Sequence, residues 1–138
     1  MPELIWRRQY PTDPASVALV RRDCRNFLAG WGISDADSQA SAVILAVSEL
    51  TTNAVTHGVS GLPFRFSVEL FGDVLHAEVR DHRDALPVLR QADDQATSGR
   101  GLVLVDALSD DWGWRTEVMG KTVWAEFKVN AGAKACIE

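Results

Sequence analysis

Alternating apolar and polar positions predict two β-hairpins in this chain. In each, two alternating segments flank a short turn that contains glycine, Gly72-Asp73 in the first and Met119-Gly120 in the second. A period of two sends successive side chains to opposite faces of a sheet, and such segments around a tight turn favour antiparallel pairing. Residues Leu4–Tyr10 predict a further strand, whose partner the pattern does not reveal. The four hairpin segments are FRFSVELF, VLHAEVRD, DWGWRTEV and KTVWAEFKV.

Apolar residues at intervals of three and four predict a first helix. Asp13 can act as its N-cap, and Pro14 suits the first helical position because it lacks an N–H group. Gly30 and Gly32 are expected to end the helix. Its buried stripe is expected to consist of Val17, Val20, Cys24, Phe27, Leu28 and Trp31.

The same period predicts a longer second helix and a shorter third one. Ser34 or Asp35 is expected to cap the second helix, which ends at Gly58. Residues 83–98 show no period, and an irregular stretch of that length in a small domain is usually a binding lid or a disordered insert. The third helix is expected to open at Gly99. The apolar stripe of the second helix is Val43, Ile44, Val47, Leu50 and Ala54.

The order of these elements predicts the fold class. Strand, helix, helix, two strands, loop, helix and two strands give hairpins with helices on one side, which is an α+β fold. We expect a two-layer α/β sandwich with a mostly antiparallel sheet. The 138 residues are expected to form a single domain, 1–138, with residues 131–138 as a frayed tail.

Composition and charge narrow the classes of function. A formal net charge of −5, a pI near 5.1 and the lack of a basic cluster argue against direct binding of nucleic acid. No apolar run approaches the roughly 18–20 residues that span a membrane, and the N-terminus does not resemble a secretory signal. Cys24 and Cys136 lack metal-type spacing and are expected to stay reduced. These features predict a cytoplasmic protein.

Three polar residues, Glu49, Asn53 and His57, recur at intervals of four within the second predicted helix. Each interval of four turns the side chain by about 40° around the helix axis, so the three form one line. That line borders the apolar stripe and does not oppose it. We therefore expect these side chains to be partly buried at the edge of a pocket.

The residues alone allow two interpretations of this line. Glu49 and Asn53 can bond to each other as an i,i+4 pair, while His57 stabilises the helix C-terminus through the helix dipole. Alternatively, the amide oxygen of Asn53 suits a hard ion such as Mg²⁺ alongside phosphate oxygens and water, and Glu49 suits a general base. Zinc is a poorer candidate, because a neutral amide oxygen is a weak zinc ligand.

The segment SGRGLVLV is a candidate phosphate cradle. Gly99 and Gly101 stand at the predicted start of the third helix, where free N–H groups and the positive end of the dipole suit an anion. The same glycines can equally serve a tight turn. The six-residue dinucleotide fingerprint is not met, because the pattern breaks at Val103-Leu104 and no βαβ unit surrounds it.

In this order the motifs resemble those of the histidine-kinase-like ATPase superfamily (GHKL, or Bergerat fold), which includes histidine kinase catalytic domains and gyrase B. Within it, the chain is most similar to the small anti-sigma-factor serine/threonine kinases of the stand-alone actinobacterial type, from about Ala15 to Val129. The stretch SELTTNAVTHG matches the family's N box. By that match Glu49 is the expected catalytic base and Asn53 the expected Mg²⁺ ligand, with His57 near the end of the box.

Two further motifs match the ATP site of that superfamily. Asp81, at the end of EVRD, takes the place of the acid that accepts the adenine amino group, and Thr122 matches a hydroxyl that assists it. The segment SGRGLVLV matches the second glycine box, whose backbone N–H groups approach the phosphates. The residues expected there are Gly99, Arg100, Gly101 and Leu102.

The first glycine box departs from the family's pattern. Where the family has Asp-x-Gly-x-Gly, this chain has Asp81-His82-Arg83-Asp84-Ala85, so that Arg83 and Ala85 replace both glycines. Glycine permits positive φ and a close approach of ligand to backbone. The replacements therefore predict weaker nucleotide binding or a loop of different shape, with Arg83 as a candidate phosphate contact.

The resemblance implies a function that uses ATP and Mg²⁺. The expected activity is that of a serine/threonine protein kinase that phosphorylates an anti-anti-sigma (STAS) partner and holds a sigma factor in a partner-switching pathway. Related regulators are often homodimers, which is the expectation for this chain. The alternative is a regulatory interaction module, nucleotide-binding or degenerate, without kinase turnover.

Overall fold

The computed structural model describes residues 4–33, 38–59, 61–82 and 96–129. The order of strands and helices predicted from the periodicity is confirmed there. The elements are β1 Leu4–Tyr10, α1 Ala15–Gly30, α2 Ser38–His57, β2 Phe64–Phe71, β3 Val74–Asp81, α3 Ala96–Leu108, β4 Asp111–Glu117 and β5 Gly120–Lys128. The predictions for the cap of α2, for Arg83 and Ala85 and for the tail fall outside the described residues.

The strands form one five-stranded antiparallel sheet in the order β1-β2-β3-β5-β4. The N-terminal strand, whose partner the pattern does not reveal, pairs with β2. Both hairpin turns contain a residue with left-handed backbone, Gly72 at φ 59° and Met119 at φ 62°. The two hairpins meet where β3 pairs with β5, so the middle of the sheet holds the strand ends that carry Asp81 and Lys121.

The three helices cover one face of the sheet, which confirms the two-layer sandwich. Helix α2 lies centrally, packing against β2, β3 and β5 below it and against α1 and α3 on either side. We call the covered side the helix face and the other side the open face. Buried strand residues on the helix face are Phe64, Phe66, Val68, Leu70, Leu75, Ala77, Val79, Val123, Ala125 and Phe127. The open face carries Glu69, His76, Glu78, Trp124 and Glu126.

Helix α1 begins at Ala15, one residue after the predicted start, so Pro14 and not Asp13 is its N-cap. Asp13 nevertheless accepts a hydrogen bond from the Ala15 N–H at 2.9 Å, and the predicted end at Gly30 is confirmed. Cys24 on the buried stripe is a free thiol with 0% exposure, and burial raises its pKa to about 12. The ring of Phe27 packs on the sheet, with its centroid 5.9 Å from that of Phe66.

Helix α2 has the apolar stripe that its sequence predicts, although Ile44 is only half-buried against the core. Val43, Val47, Leu50 and Ala54 are each at most 2% exposed. The helix ends at His57, directly before Gly58, as predicted. Among the described residues, none of the helices has both the length and the apolar character that crossing a membrane requires.

Candidate functional site

The polar line of α2 lies at the edge of its buried stripe. Glu49, Asn53 and His57 are all half-buried, whereas the neighbouring Leu50 and Ala54 are fully buried. The burial predicted from the 40° offset between residues four apart is therefore confirmed. These side chains keep part of their surface open to solvent while the rest faces the protein.

Glu49 and Asn53 do not bond to each other. Within the described part of the chain, neither the carboxylate of Glu49 nor the amide of Asn53 forms a hydrogen bond or an ion pair. The interpretation of these two residues as an i,i+4 hydrogen-bonded pair is therefore wrong for this structure. Two half-buried oxygen-bearing side chains on consecutive turns are left available for a ligand.

The C-terminus of α2 is held close to the preceding turn. The Gly58 N–H donates to the Ala54 carbonyl at 2.8 Å, and a Cβ at position 58 would collide with that carbonyl oxygen. Glycine is therefore required here for the close approach of backbone to backbone. His57 occupies the last turn of the helix, where a basic residue interacts favourably with the dipole.

Asp81 ends β3 on the helix face, and its carboxylate is paired with a lysine. Lys121 lies opposite it on β5, and the Lys121 Nζ is 3.2 Å from Oδ1 and 3.0 Å from Oδ2 of Asp81. The two residues are buried, with exposures of 5% for Asp81 and 7% for Lys121. The residue expected to read the adenine amino group thus already has a cationic neighbour.

Thr122 is not brought to Asp81. The register pairs Asp81 with Lys121 and Arg80 with Thr122, so Thr122 lies on the open face while Asp81 lies on the helix face. The Thr122 hydroxyl donates instead to Glu117 Oε2 at 2.8 Å. Lys121 occupies the position beside Asp81 that the resemblance assigned to the Thr122 hydroxyl.

Helix α3 begins earlier than predicted. It starts at Ala96, so Gly99 is its fourth residue and Gly101 lies in the second turn. Only the first four N–H groups of an α-helix lack an intrahelical acceptor. These belong to the N-cap and to the first three helical residues, so the N–H groups of Gly99, Arg100, Gly101 and Leu102 all fall within the intrahelical series. Leu102 is buried, with 4% exposure.

The sequence contains a signal for Lys121 that lies outside the family's motifs. In KTVWAEFKV, Lys121 shares its face with Val123, Ala125 and Phe127, all of which are buried. A lysine at an apolar position of an alternating strand is almost never buried without a partner. That mismatch indicates a carboxylate opposite it.

The described residues contain no group of three or more His, Cys, Asp or Glu side chains placed to hold a metal ion. An Asn53-based magnesium site does not need one, because Mg²⁺ commonly takes one or two protein oxygens together with phosphate oxygens and water.

Residues 10–127 match the family described as the histidine kinase-like ATPase domain. The chain belongs to this family. The matched range includes the polar line of α2, the end of β3, the start of α3 and the start of β5, which are the elements that carry Glu49, Asp81, Gly99 and Lys121.

This histidine kinase-like ATPase domain was matched to two solved structures, and the first of them shows the same fold. The RsbU and RsbW domains of Rv1364c from Mycobacterium tuberculosis match with a TM-score of 0.68 and 22% identity, over 92% of this chain and 33% of that chain. The histidine kinase domain of the blue-light activated histidine kinase EL346 from Erythrobacter litoralis matches with a TM-score of 0.48 and 23% identity, over 70% of this chain and 47% of that chain. No curated protein matches the chain.

Proposed function

We propose that this domain binds ATP with Mg²⁺ between α2, the end of β3 and the start of α3, and that it transfers the γ-phosphoryl group to a protein hydroxyl. The observation that carries the proposal is the pair Glu49 and Asn53, half-buried on consecutive turns of α2 and unbonded to other described residues. Membership of the histidine kinase-like ATPase family supports a nucleotide as the ligand.

The chemistry of the two side chains fits that ligand. Asn53 offers a neutral amide oxygen, which suits Mg²⁺ when phosphate oxygens and water complete the coordination. The ion neutralises charge on the phosphates when it is bound. Glu49, one turn earlier, is the proposed general base: it orients the acceptor hydroxyl and takes its proton as the oxygen attacks the γ-phosphorus, while the bond from that phosphorus to the bridging oxygen breaks and ADP leaves.

The remaining expected contacts come from the sheet and from α3. Asp81 supplies an acceptor for the amino group of adenine, although Lys121 shares its carboxylate. The first three residues of α3, 96–98, supply N–H groups that have no acceptor within the helix, together with the positive end of the helix dipole. The phosphate site proposed here is therefore centred on the first turn of the helix, N-terminal to Gly101.

We also propose that the acceptor is a serine or threonine on an anti-anti-sigma (STAS) protein, and that the domain, as a homodimer, holds a sigma factor when that partner is phosphorylated. The fold similarity to a structure that contains an RsbW domain supports this class of regulator. The chain spans a third of that structure's length.

A second candidate function is a regulatory interaction module without turnover. The buried pair of Asp81 and Lys121 favours it, because the base-reading carboxylate is already compensated by a charge. Replacement of both glycines of the first glycine box by Arg83 and Ala85 also favours it, since close approach of backbone to nucleotide becomes harder.

Calorimetric titration with ATP, with and without Mg²⁺, followed by phosphoryl transfer from labelled ATP to STAS proteins, tests both candidates. Asn53→Ala is expected to remove the Mg²⁺-dependent part of binding. Glu49→Gln is expected to keep ATP binding but to lower transfer by about a hundredfold or more, the usual contribution of a general base. The matched control is Glu69→Gln, a half-buried carboxylate on the open face of the sheet.

The outcomes separate the alternatives. Binding without transfer to any STAS protein, unaffected by Glu49→Gln, would identify the interaction module. Absence of binding at millimolar ATP would overturn the nucleotide site itself. Equal losses of transfer in Glu49→Gln and Glu69→Gln would show that the effect of Glu49 is not specific to the site.

A further inference from the structure

The buried lysine beside Asp81 is held in a defined position. Its Nζ lies within hydrogen-bond distance of both carboxylate oxygens, at 3.0 and 3.2 Å. Directly before it, Gly120 packs so closely that an added Cβ would collide with the Asp81 carbonyl oxygen. The backbone ladder between β3 and β5 fixes the two residues opposite each other. The fold therefore fixes the ammonium group of Lys121 next to the carboxylate of Asp81.

The pair places a hydrogen-bond donor, the ammonium group of Lys121, next to a hydrogen-bond acceptor, the carboxylate of Asp81. An ammonium group has three donors and no acceptor, and an ionised carboxylate has only acceptors. Two N–H groups of Lys121 suffice for the Asp81 oxygens, and the third has no acceptor among the described residues. A ligand edge that reaches this position meets an acceptor at Asp81 and a donor at Lys121.

An acceptor next to a donor can form hydrogen bonds with more than one kind of purine base. At its Watson–Crick edge adenine offers a 6-amino donor and an N1 acceptor, whereas hypoxanthine and guanine offer a 6-oxo acceptor and an N1–H donor. A carboxylate alone accepts from the 6-amino group and repels a 6-oxo group. With a lysine beside it, the carboxylate can accept from N1–H while the ammonium donates to the 6-oxo oxygen.

We propose that Lys121 is a specificity-determining residue that, together with Asp81, allows the site to bind 6-oxopurine nucleotides as well as ATP. This inference rests on the proposed function, because it concerns the base subsite of the same nucleotide site. Guanine carries an additional 2-amino group, so inosine triphosphate is the cleaner probe of the 6-position.

The first test compares ATP, inosine triphosphate and guanosine triphosphate on the wild-type domain by calorimetry with Mg²⁺. The proposal expects inosine triphosphate to bind within about tenfold of ATP, because each base finds a complementary partner for both of its groups. Inosine triphosphate binding more than about tenfold weaker than ATP would overturn the proposal. Guanosine triphosphate reports whether the site also has room for the 2-amino group.

The second test replaces the lysine. In Lys121→Met the dissociation constant of inosine triphosphate relative to that of ATP is expected to rise at least about tenfold, because the 6-oxo oxygen is then left against the Asp81 carboxylate. Lys128→Met, an exposed lysine on the same strand, is the matched control and is expected to leave the ratio unchanged. An unchanged ratio in Lys121→Met would overturn the proposal.

Two controls keep the result interpretable. Circular dichroism establishes whether Lys121→Met folds; if it does not, the wild-type comparison of ATP with inosine triphosphate decides alone. ATP binding with inosine triphosphate more than about tenfold weaker, or with a ratio that Lys121→Met leaves unchanged, would refute this inference and leave the proposed function intact. Failure of all three nucleotides to bind the wild-type domain would refute both.

Discussion

The two faces of the sheet carry charged clusters on the same pair of strands, in opposite environments. On the helix face, Asp81 of β3 and Lys121 of β5 form a pair with exposures of 5% and 7%. On the open face, His76 bridges two carboxylates, with Nε2 at 2.7 Å from Glu78 and Nδ1 at 2.8 Å from Glu126. The ring of His76 also stacks on Trp124.

The two clusters differ most in the solvent exposure of their charges. Glu78 on the open face is bonded to Arg115 as well as to His76, and Arg115 also reaches Glu117 at 3.2 Å. Solvent and neighbours can therefore compensate the loss of any one member. Among the described residues, Lys121 has Asp81 as its charged partner, and its side chain is almost completely shielded from solvent. We therefore expect substitutions of charged residues to cost little stability on the open face and much more on the helix face.

The largest expected effect comes from breaking the buried pair. Lys121→Ala should lower the free energy of unfolding by about 3–5 kcal/mol, because it removes the lysine that is paired with a buried carboxylate. On the open face, Arg115→Ala should cost under about 1 kcal/mol, because Arg115 is half exposed and its partners remain solvated. Urea denaturation of both variants measures the contrast.

The double variant Asp81→Asn/Lys121→Met is the control for this prediction. It removes both charges at once and is expected to recover most of the stability lost in Lys121→Ala. Equal costs for Lys121→Ala and Arg115→Ala would show that burial does not distinguish the two clusters.

Two glycines, one next to each cluster, predict smaller differences in stability when they are replaced by alanine. A Cβ at Gly120 would collide with the Asp81 carbonyl, which is backbone, whereas a Cβ at Gly113 would lie 2.8 Å from the side chain of Trp124. Overpacking typically costs about 1–3 kcal/mol. We expect Gly120→Ala to fall at the upper end, because a paired strand must shift, and Gly113→Ala at the lower end, because a ring can move.

Thermal unfolding compares the two alanine variants, and tryptophan fluorescence identifies what moves. Gly113→Ala should change the emission of the folded protein, since Trp124 lies on Gly113 across the open face. A larger loss of stability in Gly113→Ala than in Gly120→Ala would contradict the distinction between side-chain and backbone collisions.

The smallest expected effect is a pH dependence from the open face. Burial alone would lower the pKa of His76, but hydrogen bonds to Glu78 and Glu126 outweigh it, so the pKa is raised above 6.5. Burial likewise would raise the pKa of Glu78, and its bonds to His76 and Arg115 bring it below 4.5. Glu69 faces His76 from β2 across the same surface.

The sign of the effect follows from these directions. A raised folded pKa means that the contribution of His76 is fully present below about pH 6.5 and is lost as the pH rises through the folded value. The contribution of Glu78 is present above its unfolded pKa and is lost as the pH falls through the folded value. Wild type should therefore lose stability relative to His76→Gln between pH 6 and pH 9, by under about 1 kcal/mol.

Urea denaturation of wild type and His76→Gln across that range checks the prediction. The variant should show a flatter profile, because glutamine does not titrate. A gain of stability in wild type relative to His76→Gln on going from pH 6 to pH 9 would contradict the assigned direction.

Hydrophobic periodicity predicts most of the strands and helices, because the period of each one is visible within its own short segment of sequence. The alternation in β2 and β3 predicts both strands of the first hairpin, and α2 shows its buried stripe and its polar line directly. The adjacency of β3 and β5 could not be predicted in this way, because it depends on how the two hairpins pack under α2 and not on any local pattern.

The site was less predictable, and the reasons are physical. A shift of one residue along a strand moves a side chain to the other face, which is why Lys121 and not Thr122 lies beside Asp81. The start of α3 was placed too late because glycine in a helix costs only about 1 kcal/mol. Gly99 and Gly101 are therefore accommodated inside the helix.

The buried thiol of Cys24 can report how often the domain opens enough to expose it to solvent. A thiol-reactive reagent attacks the thiolate, and at neutral pH that form is scarce for a group whose pKa is about 12 and whose exposure is 0%. Labelling must therefore wait until α1 moves away from the core in which Cys24 is buried. With Cys136 replaced by serine, the labelling rate reports how often that happens, and any nucleotide that binds only the closed domain should slow it in proportion to its occupancy.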